Sequence, residues 1–158
     1  MKYFTIKEFI DSDKAKELNI DNTPDQWQVD NATEFINNLL DYLREDWGKY
    51  CEMFNLGNPA LRVTSGIRCK ELNEAVGGSP SSAHYRGYAA DLVPYNGNLS
   101  EFKTFCMKWL KTRNFDQFIS EDENDNGVPI WIHIGYKNSS DQFRKQFKYM
   151  KNNHYYFF

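Results

Sequence analysis

Between Ser65 and Asp91 the chain reads SGIRCKELNEAVGGSPSSAHYRGYAAD, and its end sets Ser82, His84, Gly87, Ala89 and Asp91 in the pattern S-x-H-x-x-G-x-A-x-D. A second short piece, WIHIG at Trp131–Gly135, carries another histidine inside an apolar, strand-like run. Two neutral imidazoles and a carboxylate form a donor set that a tetrahedral zinc ion accepts, with one corner left for water. His84, Asp91 and His133 are therefore the candidate metal ligands. The spacing of His84 and Asp91 is too wide for neighbouring turns of one helix. A turn running into a strand must bring them together, and Gly87 stands where that turn needs conformational freedom. Ala89 and Ala90 leave room beside the metal. Taken alone, His133 reads more readily as a core histidine on a strand than as a ligand. Asp91, in the middle of an apolar run, is the sharper signal, because a buried carboxylate needs a partner. His154 has no partner motif and reads as a surface or packing residue.

These residues need elements to hold them. The stretch FTIKEFIDSDKAKELNI predicts a short strand or anchor and then a helix, capped by Asp11 or Ser12. Asn22-Thr23-Pro24 breaks that pattern. From Pro24 to about Cys51, Val29, Ala32, Ile36, Leu39, Leu40 and Leu43 recur at three- and four-residue steps, the stripe of one amphipathic helix. The loop Asn55–Pro59 ends it. Leu61–Ser65 reads as a strand, Lys70–Val76 as a short helix stopped by Gly77-Gly78, and YAADLVPY as a strand carrying Asp91 and ending at Pro94. A second amphipathic helix runs from Leu99 to Leu110, capped by Ser100 or Asn98. Phe115–Glu121 and VPIWIHIGY alternate on either side of a turn rich in Asp, Asn and Gly, which predicts a β-hairpin. The basic and aromatic tail QFRKQFKYMKNNHYYFF reads as a final helix over residues 140–158, or as a docking surface. The expected fold is α+β: one domain over 1–158, with a small, mainly antiparallel sheet, helices packed on one side and the zinc site on the sheet.

A length of 158 residues suits one domain with a true core. The aromatic share of 16% is high, so some rings are expected to line a groove as well as fill the core. A net charge of −3 argues against a nucleic-acid partner, which calls for a basic surface. No apolar run is long enough to span a membrane, and charges interrupt the N-terminus too early for a signal peptide. Cys51, Cys69 and Cys106 lack paired-motif spacing and read as buried, reduced thiols.

The segments FTIKEF, IDNTP, SGIRCKELNEAVGGSPSSAHYRGYAADL, FDQFISE and WIHIGY, taken in that order, resemble the zinc D-Ala-D-Ala carboxypeptidase family. The likeness is to its small single-domain members from bacteriophages and bacteria, related to the lysostaphin and hedgehog type of zinc fold. It covers about Phe4 to Tyr136. The resemblance implies Zn²⁺ as cofactor, held by His84, Asp91 and His133. It also implies a substrate-contacting role for the arginine of the S-G-x-R element, Arg68, where a guanidinium stabilises a developing oxyanion; a structural ion pair is the other reading. Many members of that family carry an acidic general base three residues before the last histidine, and Ile130 stands there in this chain. Glu121 is the best substitute and Asp116 the next, although Glu121 also opens an acidic turn.

The resemblance implies a zinc metallopeptidase that cuts an amide next to a D-amino acid in bacterial peptidoglycan stem peptides. It would act either as a D,D-carboxypeptidase or as an endolysin-type endopeptidase. Glu121 and Arg68 would be catalytic, with Ser82, Tyr88 and Trp131 beside Arg68 on the substrate. Tyr85 also reads as a groove residue, although core packing explains Tyr85, Tyr88 and Trp131 equally well. The expected protein is a monomer with a peptidoglycan peptide as partner, no nucleic acid and no membrane insertion. It is expected to be made in the cytoplasm and to act at the cell wall after release or within a phage particle. A catalytically inactive zinc module that binds cell wall, or a virion-associated structural protein, is the rival reading, and Ile130 is the feature in its favour.

Overall fold

A computed structural model describes residues 1–158. The chain opens with two one-turn helices, α1 (Ile6–Ile10) and α2 (Asp13–Glu17), where a strand or anchor and one helix were expected. Thr5 and Glu8 close a capping box on α1, and the Ser12 side chain accepts from Ala15 N–H to cap α2. Two caps so close together explain why one helical stretch splits in two.

The long amphipathic stretch is helical throughout but not uniform. It comprises α3 (Gln26–Phe35), a π-helical turn at Ile36–Leu40 and α4 (Asp41–Phe54). Buried residues repeat every four positions through Gln28, Ala32, Ile36 and Leu40, and again through Leu43, Trp47 and Cys51. That step is wider than the 3.6-residue period of an α-helix. The π turn absorbs the accumulated drift and keeps one stripe against the sheet. Asn55, in left-handed backbone at φ 52°, ends α4.

The remaining elements are β1 (Leu61–Ser65), α5 (Lys70–Ala75), β2 (Ala89–Pro94), α6 (Leu99–Leu110), β3 (Gln117–Glu121), β4 (Trp131–Gly135), β5 (Gln146–Lys151) and β6 (His154–Phe157). The strands form one six-stranded sheet in the order β1-β2-β4-β3-β5-β6. Every neighbour pair is antiparallel except β3–β5. The architecture is α+β, as the sequence predicts.

Strand alternation sorts the side chains between two faces. Ala90, Leu92, Phe118, Ile132 and Ile134 are fully buried on the face covered by the long helix and α6, and with Phe35, Leu40, Trp47 and Phe102 they form the core. Asp91, Ile119, Glu121, Trp131 and His133 occupy the opposite face. Cys51 and Cys106 lie buried as free thiols. Cys69 is half-buried and instead caps α5, its sulfur accepting from Leu72 N–H.

The tail corrects one expectation: residues 146–157 form a β-hairpin and not a helix. Phe143 and Phe147 stand four residues apart, which imitates a helical stripe. The structure uses the period of two instead, with Phe147 against Phe115 and Phe118, and Tyr149 stacked on Tyr156. Asn152 and Asn153 both take positive φ, 51° and 61°, the geometry of a two-residue hairpin turn that asparagine tolerates. The hairpin is fixed to the sheet by parallel pairing of β5 with β3.

Candidate active site

His84 leaves the turn that follows α5. Its Nδ1 donates to Gly66 O at 2.8 Å. That bond fixes the tautomer and leaves Nε2 with a free lone pair, the usual way an outer hydrogen bond prepares an imidazole to bind metal. The Gly66 backbone packs close against α1, where a Cβ would lie 2.6 Å from Phe9 O, and the next residue's N–H donates to that oxygen at 2.7 Å. The turn closes at Gly87, with φ 79° and room for no Cβ, since one would meet Gln28 O at 2.4 Å. Helix α3 anchors the surroundings. The buried Gln28 amide donates to the carbonyls of Arg68 and Tyr85, and Asn31 donates to Arg86 O. Asn22 ties the preceding loop, donating to Ile67 O and accepting from Cys69 N–H.

Asp91 and His133 are direct cross-strand partners in the β2–β4 pairing. The turn brings His84 over them. His133 Nδ1 lies 2.8 Å from Asp91 Oδ1, and His84 Nε2 lies 3.2 Å from His133 Nδ1 and 3.3 Å from Asp91 Oδ1. Zinc–ligand bonds of about 2.0 Å in a tetrahedron place donor atoms about 3.3 Å apart, so this triangle has the right size. His84 Nε2 and the Asp91 oxygen both offer lone pairs to the space between them, an arrangement that calls for a cation there. His84, Asp91 and His133 can thus hold a metal ion.

Electrostatics at these groups agree with that role. Burial lowers the pKa of His84, and the opposing pull of Asp91 does not reverse it, so the imidazole stays in its neutral, ligating form. Burial would raise the pKa of Asp91, but the attraction of the imidazoles beside it and the hydrogen bond from His133 outweigh it and hold the carboxylate ionised.

These groups form one wall of a cleft of about 600 Å³. Glu121 stands in it, paired across the hairpin with Trp131, while His133 pairs with Ile119. Glu121 is therefore the diagonal neighbour of His133 on the same face, a Cα separation of about 7–8 Å. Burial is the main cause that raises the Glu121 pKa, helped by the charges of Asp91 and Asp122 against those of His133 and Arg68. Ile130 is half exposed, and its backbone N–H donates to Glu121 O at 2.9 Å. The expected acid position and Glu121 are thus bonded neighbours on adjacent strands. A carboxylate thus stands across the hairpin from Ile130.

Asp116 also lines the cleft, but Arg144 claims both of its oxygens, through Nε at 2.5 Å and Nη2 at 2.7 Å. It is a structural ion pair and no candidate base. Replacing Arg144 with Met is expected to destabilise the fold by roughly 2 kcal/mol in urea denaturation, because the buried Asp116 carboxylate loses its partner. Adding Asp116→Asn should recover part of that loss.

Arg68 is held beside the triad by Ser65 Oγ and lies 3.6 Å from Asp91 Oδ2. Burial lowers its pKa, with Asp91 and Glu121 pulling the other way, and arginine keeps its charge in proteins. Ser82 and Trp131 line the cleft. Tyr88 does not. It differs in parity from Asp91, so strand alternation turns it to the helical side, where its hydroxyl donates to Glu34 at 2.6 Å and its ring packs on Tyr136. Tyr85 meets Trp27 edge to face at 5.6 Å and does not line the cleft. Lys148, Met150 and Tyr155, from the C-terminal hairpin, line the cleft without having been singled out in the sequence. Burial and the charges of Glu121 and Asp91 raise the Tyr155 pKa, so its phenol stays a hydrogen-bond donor.

A two-histidine, one-carboxylate triad on a sheet, with an acid and a guanidinium beside it, defines a metal-dependent hydrolase site. The sequence profile of the Peptidase M15 family matches residues 2–135, and the chain belongs to that family of zinc-dependent metallopeptidases, whose members act on peptidoglycan. A comparison with curated proteins finds no match. No helix is long and apolar enough to cross a membrane.

Proposed function

We propose that this metallopeptidase holds zinc through His84 Nε2, Asp91 Oδ1 and His133 Nδ1, and hydrolyses an amide next to a D-amino acid in peptidoglycan stem peptides at the bacterial cell wall. The observation that carries the reading is the convergence of three donor atoms within 3.3 Å of one another, with the Glu121 carboxylate on the same face. Zinc there supplies Lewis acidity, polarising the scissile carbonyl and making water easier to deprotonate. Glu121 takes the proton from the attacking water and gives it to the leaving amine nitrogen, the two halves of general base and general acid catalysis. Its raised pKa suits a group that must both accept and return a proton. Arg68 points its guanidinium at the substrate oxygen that gains charge. Ser82 offers a hydroxyl to the peptide, and Trp131 forms an apolar wall.

The test is release of amine from synthetic stem peptides ending in D-Ala-D-Ala, and from tripeptides containing the L-Ala–D-Glu bond, by zinc-loaded protein. Release from the first alone identifies a D,D-carboxypeptidase, and from the second an endopeptidase. No release from either, with zinc bound, overturns the reading.

A further inference from the structure

Across the sheet, one row of side chains runs Asp91, His133, Ile119, Lys148, Phe157, each paired with the next. All five project from the face that carries the metal-binding triad. Two strand spacings separate His133 from Lys148, about 10 Å. Only the short, largely buried Ile119 stands between them. The cleft spans this row and is lined by Lys148 at its far side.

Three cations line the cleft. Arg68 has Asp91 at 3.6 Å and Arg144 is bound to Asp116. Lys148 has no carboxylate partner among the ion pairs of the chain. Its ammonium lies 5.0 Å from the centroid of the Phe157 ring, a contact that steadies a cation without neutralising it. Lys148 and Phe157 both belong to the hairpin that follows the family-matched residues 2–135. The feature thus lies outside the family-matched residues.

We propose that Lys148 is a specificity-determining residue that binds a side-chain carboxylate of the peptide substrate; this rests on the cleft being the peptide site. The distance decides which carboxylate. An extended residue spans about 3.3–3.6 Å, so a row of about 10 Å corresponds to two or three residues' length from the reacting carbonyl. The terminal carboxylate of a single leaving amino acid is too close to reach Lys148. A carboxylate on a long side chain further along the peptide reaches it. Diaminopimelate, whose side chain ends in a second amino acid group, has that chemistry, and lysine in its place lacks it.

The experiment measures binding by calorimetry in the Glu121→Gln background, so that the peptide stays intact. The probes are a stem pentapeptide with diaminopimelate at its third position and the same peptide with the side-chain carboxylate converted to carboxamide. The free carboxylate is expected to bind about tenfold more tightly, as one charge-assisted contact gives. The preference should disappear with Lys148→Met and survive with Lys148→Arg. Equal affinity for the two peptides, no binding of the carboxylate form, or a preference that persists in Lys148→Met overturns the proposal. Cleavage of the carboxylate peptide by the protein with Glu121 intact is scored separately. A lost preference with cleavage retained removes the Lys148 subsite alone, and a retained preference without cleavage removes the peptidase reading alone.

Discussion

Glu121→Gln should lower turnover of stem peptides by roughly 10²–10⁴-fold while leaving zinc content unchanged. The exchange keeps size and shape and removes only the capacity to take and return a proton. Glu121 lies outside the triad, so the donor atoms of His84, Asp91 and His133 keep their places. The effect should fall on kcat, because the carboxylate acts on the attacking water and the leaving amine and does not hold the peptide. Asp116→Asn is the control. Its carboxylate is spent on Arg144, so its loss should affect stability more than turnover. A Glu121→Gln enzyme with normal kcat would remove Glu121 from the chemistry.

The same residue predicts a pH effect on stability in the metal-free chain. Burial is the first cause that raises the Glu121 pKa, so the folded state binds its proton more tightly than the unfolded state. The ionised form therefore opposes folding. Its cost is absent below the unfolded carboxylate value, grows as pH rises through the interval up to the folded value, and is complete above it. Glu121→Gln removes that cost. The variant should exceed the parent in urea stability at neutral pH and match it in acid, the exchange of stability for activity that catalytic groups impose.

The centre of this site was readable because its parts are local. The H-x-x-G-x-A-x-D run contains a turn, its glycine and the strand that follows, and the W-x-H strand is continuous. The hairpin pairing of FDQFISE with WIHIG is also local, so the placement of Glu121 beside His133 followed from alternation and one turn. Tyr88 was open to the same argument, since it lies an odd number of residues from Asp91 and must face the other way. The C-terminal wall was less accessible. It depends on β5 pairing directly and in parallel with β3, with β4 between them only in sequence, a non-local contact with no local signal. The basic and aromatic tail also read as a helix, although Asn152-Asn153 suits a hairpin turn. Lys148 and Tyr155 enter the cleft only because of that pairing. Nor could the sequence show the Gly66 carbonyl that sets the tautomer of His84, because no pattern reports a backbone oxygen.

That carbonyl separates the two histidines in the second large effect. Wild-type protein should carry about one zinc per chain by elemental analysis, and both His84→Ala and His133→Ala should carry almost none and turn over no peptide. A chain missing one of three protein ligands cannot keep a tetrahedral site with an open corner. The two variants should differ when metal is absent. His133 takes part through the triad, with side-chain contacts to Asp91 and His84. His84 also ties the turn to the β1–α5 connection through Gly66 O. In excess chelator, His84→Ala should therefore be less stable than His133→Ala by roughly 1–2 kcal/mol, the cost of leaving a buried carbonyl without its donor. Added zinc should raise the melting temperature of the parent, by about 2.7 kcal/mol of stability at a hundredfold excess over Kd. Neither variant should respond. Zinc retained by His133→Ala, or a zinc-dependent shift in its melting temperature, would mean that the ion sits elsewhere in the cleft.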